Sequence, residues 1–93
     1  MQKNDQADLL YEAILSLKTK EECHAFFQDL CTFTEVKAMA QRMEVARLLD
    51  QGLIYSEILE RTGTSSATIS RINRALQYGA DGYRIVLDRL GKK

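Results

Sequence analysis

Apolar residues recur at three- and four-residue spacing along nearly the whole chain, the period of helices packed on one side. Leu9, Leu10, Ala13, Ile14 and Leu17 share one face of a predicted helix over residues 5–18. Cys23, Phe26, Phe27 and Leu30 do the same for a second helix, which ends near Leu30. Val36, Met39, Ala40, Met43, Ala46 and Leu49 form the stripe of a third and longest helix, roughly Phe33 to Gln51. Two runs follow, Ser56 to Thr62 and Ser66 onward, and a last one from Tyr83 to Leu90 offers Ile85, Val86 and Leu90 for burial. There is no sustained period-two alternation, proline is absent, and the glycines fall at helix boundaries. The expected fold class is therefore all-α, six helices in a single domain over residues 1–93.

Local signals sharpen the boundaries. Thr19 and Glu22 have the spacing of a capping box, as do Thr32 and Glu35, with Cys31 and Val36 set as the hydrophobic staple of the second. Gly52 closes the third helix, Gly79 the fifth, and Asp81 or Gly82 opens the sixth. The first two helices (residues 1–31) carry broader apolar faces than a compact remainder would cover. They are read as dimerisation helices, buried by a second copy of the chain.

The chain is organised around residues 55–77. Gly63 lies between two helical patterns, where a tight turn needs a residue that tolerates positive φ. Thr64, Ser65 and Ser66 follow as candidate caps for the next helix. Ile58, Leu59, Ile69 and Ile72 are spaced to meet across the turn, which leaves Ser66, Ala67, Ser70, Arg71 and Arg74 outward. This is the sequence form of a helix-turn-helix whose second helix lies in a DNA major groove. A hairpin built only for packing needs two apolar faces and a glycine. It does not need small polar residues and then arginines on its outer face. The candidate DNA-contacting residues are Ser65, Ser66, Ala67, Thr68, Ser70, Arg71 and Arg74.

Composition changes this picture little: 45% hydrophobic and 28% charged residues describe a globular chain. Charge changes it more. Net charge is zero, but residues 1–60 hold six Lys/Arg against eleven Asp/Glu, and residues 61–93 hold seven against two. Positive charge thus gathers where the helical pattern places the candidate DNA contacts, and the acidic half should face away. Cys23 and Cys31 form no CxxC pair and the single His24 has no ligand-spaced companions, so no metal or redox site is expected. No nucleophile–base pair or phosphate-binding glycine loop suggests an enzyme. Without a signal peptide or a membrane-length apolar run, a cytoplasmic protein with no membrane partner is expected.

Ala38 to Arg42, the long helix closed by Gly52, and the run Gly63 to Arg71 (GTSSATISR) resemble the Trp-repressor-like family of YerC/YecD type, within the tryptophan repressor superfamily. The resemblance covers roughly Leu30 to Gly79, and the remaining helices fit the same six-helix plan. It implies an intertwined all-α homodimer that binds double-stranded DNA. It also implies a corepressor site, in which Arg42 and Arg71 match the two arginines that flank tryptophan and Thr32 matches the threonine opening the long helix. Three departures oppose tryptophan here. Ile72 replaces a glycine that leaves room for the indole, Ala75 replaces a serine, and the connection after Gly52 is one residue shorter. No cofactor is expected, and tryptophan is not expected to act as corepressor.

The leading function is a sequence-specific DNA-binding regulator of repressor type. Two alternatives stand beside it. One is a repressor gated by another small molecule between Arg42 and Arg71; the other is a protein-interaction module that has lost DNA binding.

Overall fold

The computed structural model describes residues 5–91. Its helices are α1 (Asp5–Leu15), α2 (Lys20–Leu30), α3 (Phe33–Asp50), α4 (Tyr55–Thr62), α5 (Ser66–Tyr78) and α6 (Gly82–Gly91), with no strand among the described residues. Lys92 and Lys93, which follow the last predicted helix, lie outside them. The helices form two compact units, one up to Val36 and one from Lys37 onward.

In the first unit α1 stops three residues earlier than expected. The Ser16 hydroxyl donates to the Ala13 carbonyl at 2.6 Å, and the Leu17 N–H donates to Ile14 at 3.1 Å, closing the last turn tightly. The next amide, of Lys18, donates to the Glu22 carboxylate at 2.8 Å and already belongs to the entry of α2. Thr19 caps α2 as expected, its hydroxyl oxygen accepting the Glu22 N–H at 3.0 Å. Glu22 reaches back one residue further than the usual box. Thr32 and Glu35 form the reciprocal pair in full: Glu35 N–H donates to Thr32 Oγ1 at 3.1 Å and Thr32 N–H to Glu35 Oε1 at 2.8 Å.

The expected burial on α2 is not reached within the chain. Cys23, Phe26 and Phe27 are half-buried and Leu30 is exposed, although the two rings meet at 5.6 Å between centroids. Two helices and one turn of α3 supply too few side chains to enclose them. Leu9, Leu10, Tyr11, Ile14 and Leu15 of α1 are exposed as well. A groove of about 780 Å³ runs past Cys23, Phe27, Cys31, Phe33 and Val36.

The second unit holds the core: Val45, Ala46, Leu48, Ile58, Ile69, Ile72 and Leu87, backed by Met43, Leu49, Leu53, Leu76 and Tyr83. Four expectations change here. On α3 the deepest side chains include Val45 and Leu48, outside the expected stripe, while Met39 and Ala40 are exposed. Apolar residues occur on every side of α3, so its sequence marks no single buried stripe. On α4, Ile58 is buried but Leu59 is 43% exposed, because α5 packs on only one side of so short a helix. On α6, Leu87 is buried, whereas Ile85, Val86 and Leu90 stay exposed. Gly79 does follow α5, but its φ of −86° is ordinary. A Cβ there would collide with the Ala75 carbonyl oxygen, so close approach is what requires glycine.

Turn chemistry matches the sequence more closely. Gly52 at φ 91° ends α3; its N–H donates to Leu49 at 3.0 Å and that of Leu53 to Leu48 at 3.2 Å. That is a Schellman closure with Leu53 turned back to the core. At the same end of α3, Arg84 of α6 meets Asp50 at 2.9 Å and Asp88 at 3.1 Å. The Asp50 hydrogen bond, with both nearby carboxylates, raises the Arg84 pKa above its ordinary value.

Candidate nucleic-acid interface

The interface is built on α4, the turn from Gly63 to Ser65, and α5. Gly63 sits at φ 71° and its N–H donates to Leu59 at 2.8 Å, which stops α4 and reverses the chain. The Thr62 hydroxyl donates to the Ile58 carbonyl at 2.7 Å and accepts the Thr64 N–H at 3.2 Å. A hydroxyl has one proton. The Thr64 hydroxyl, 2.9 Å from Thr62 Oγ1, is therefore the donor in that pair. This satisfies Thr64, the one buried polar residue among those described.

Ser65 caps α5: its Oγ accepts the Thr68 N–H at 3.2 Å and donates to Thr68 Oγ1 at 3.0 Å. Ile69 and Ile72 then anchor α5 in the core, at 0% and 3% exposure. Ser66, Ala67, Ser70, Arg71 and Arg74 are all exposed, on the side expected, and Thr68 is half-buried. The helix carries no acidic residue, and no ion pair among the described residues involves Arg71 or Arg74. Of the seven residues selected from sequence, Ser65 is thus drawn into local structure, and Thr68 keeps its own hydroxyl proton for another acceptor.

Arg42, on α3, is also exposed and without an ion pair among the described residues. Thr32 lies in the first unit, where it caps α3. Ile72 fills core space. Ala75 is exposed, and its carbonyl accepts the Gly79 N–H at 2.9 Å. One residue escaped the sequence reading. Gln41, half-buried on α3, donates its side-chain amide to the Thr62 carbonyl at 3.0 Å. Its partner lies 21 residues away, and no local pattern signals such a pairing.

Comparisons with known proteins agree with this architecture. The chain matches the family described as Trp repressor protein over residues 5–91. It is 51% identical over 88 residues to the uncharacterized protein YerC of Bacillus subtilis (strain 168), across 95% of this chain and 85% of that one. It is 34% identical over 92 residues to the Trp operon repressor homolog of Chlamydia caviae, across 98% of this chain and 90% of the relative. The crystal structure of a TrpR like protein from Eubacterium eligens superposes with a TM-score of 0.92 at 49% identity, covering 97% of this chain and 93% of that one. The six-helix fold and these relatives together establish that this chain belongs to the Trp repressor family, a family of transcriptional repressors.

Proposed function

We propose that the chain is a sequence-specific DNA-binding transcriptional regulator of repressor type, which lays α5 in the major groove. The observation that carries this reading is the division of α5 into two faces. Its inner face ends in Ile69 and Ile72, and its outer face presents Ser66, Ala67, Ser70, Arg71 and Arg74 to solvent. Small side chains near the helix start allow close approach to base edges, and Ser and Ala suit hydrogen bonding and thymine-methyl contact. Arg71, Arg74 and the Thr68 hydroxyl suit phosphates, which position the helix without specifying sequence. The N-terminal end of α5 adds a favourable dipole.

The working form is a homodimer in the cytoplasm. The exposed apolar residues of α1 and α2 support this, because such faces are costly in water and a symmetric copy covers them most economically. Two copies also bring two reading helices to successive major grooves. DNA binding needs no tryptophan, since Ile72 is part of the core. A second reading, gating by another small molecule, draws on Arg42 and Arg71, two exposed guanidinium groups with no ion pair among the described residues. Arginine forks bind carboxylates well.

Selection of bound sequences from a random duplex pool, with and without amino acids, tests both readings. An enriched motif without any addition supports the first. Enrichment only with a small molecule favours the second, and no duplex binding at low salt overturns both.

A further inference from the structure

Gln41 makes the one hydrogen bond among the described residues that ties α3 to the turn between α4 and α5. The acceptor, the Thr62 carbonyl, belongs to the last turn of α4, where carbonyls have no partner within the helix. The remaining polar contacts of the turn are local. Thr62 bonds Ile58 and Thr64, Gly63 bonds Leu59, and Ser65 bonds Thr68. Those contacts set the shape of the turn, but none fixes its position along α3. The other α3 cross-link through a polar side chain, Asp50 to Arg84, lies at the C-terminal end of the helix, away from Gln41 at its middle.

We propose that Gln41 is a positioning residue for DNA recognition, latching the turn to α3 so that the start of α5 is presented at a fixed depth. The proposal rests on the DNA-binding reading above. Hydrogen bonds to base edges weaken steeply with distance and angle. Short side chains such as Ser66 and Ser70 cannot extend to compensate for a displaced helix. The long side chains of Arg71 and Arg74 can follow a displaced phosphate, and their attraction to it is less directional. Loss of the latch should therefore lower discrimination between sequences and leave random-duplex binding in place.

The test uses a duplex selected by the wild-type protein and a random duplex of equal length. Both affinities and their salt dependence are measured for wild type, Gln41→Leu and Gln41→Glu, each checked for folding by thermal unfolding. Leucine removes the donor at similar size. Glutamate keeps the shape, and its added charge weakens both duplexes by a common factor. The ratio of selected to random affinity should fall about five- to tenfold in both variants, the span that one lost hydrogen bond allows. The salt slope should stay unchanged in Gln41→Leu. A residue that only stabilised the fold would lower the unfolding temperature and leave the ratio intact; that result in a folded variant overturns the proposal. If Gln41→Leu does not fold, Gln41→Glu decides. A wild-type protein that binds no duplex overturns the DNA-binding reading and the latch together, whereas wild-type discrimination matched by both variants overturns the latch alone.

Discussion

Ser65 and Thr68 bond reciprocally at the start of α5: the Ser65 hydroxyl donates to Thr68 Oγ1 at 3.0 Å and accepts the Thr68 N–H at 3.2 Å. The pair makes Ser65 a helix cap first and a DNA contact second. Ser65→Ala should then cost about 1 kcal/mol of folding stability, the usual effect of removing a serine cap. Ser70→Ala, on the exposed face, should cost little. Chemical denaturation of the two variants checks this; equal stability losses would remove the distinction between capping and reading positions.

Arg74 and Ser70 divide the interface by the chemistry of their ends. Arg74→Ala should weaken selected and random duplexes alike and lower the salt slope by about 1, as loss of one phosphate contact does. Ser70→Ala should shift the preferred sequence with a smaller change in overall affinity. Titrations at several salt concentrations separate the two, and an Arg74→Ala protein altered only in sequence preference would reverse the assignment.

Tryptophan should not sharpen DNA binding. Ile72 is 3% exposed in the core cluster that holds Ile58, Ile69 and Val45, so a ring that needed the room of a glycine at this position would have to displace a packed side chain. Overfilling a packed site typically costs about 1–3 kcal/mol. Calorimetry with millimolar tryptophan should show no saturable heat, and a band-shift should be unchanged by it. Tight binding with raised DNA affinity would defeat the argument. Ile72→Ala is expected to cost about 2–5 kcal/mol in stability, as truncating a buried aliphatic side chain does.

Stability should rise with protein concentration. Phe27 is half-buried within the chain and lines an apolar groove. A full aromatic burial is worth about 3–5 kcal/mol against alanine, and Phe27 reaches it only if a second copy closes the groove. Thermal unfolding over a hundredfold range of concentration should give a rising midpoint for wild type, as mass action requires of a folded dimer. Phe27→Ala should lower both the midpoint and the dimer affinity by sedimentation. A concentration-independent midpoint with a folded monomer would exclude the dimer.

Much of this molecule was legible from its residues because the signals were local. Thr19, Thr32, Gly52, Gly63 and Ser65 mark helix ends through bonds spanning only a few residues, and all five do so in the structure. The outward placement of Ser66, Ala67, Ser70, Arg71 and Arg74 followed from helical period and an unambiguous inner face, Ile69 and Ile72. Where apolar residues occurred on several faces, period could not choose among them. Val45 and Leu48 on α3, and Leu87 on α6, are buried because other helices cover those particular sides. Leu59 and Ile85 have the same chemistry and remain exposed. The Gln41–Thr62 bond depended on two residues 21 apart meeting in space. Hydrophobicity and capping act along the chain, but which faces are covered is a property of the packed helices, and only the tertiary structure decides it.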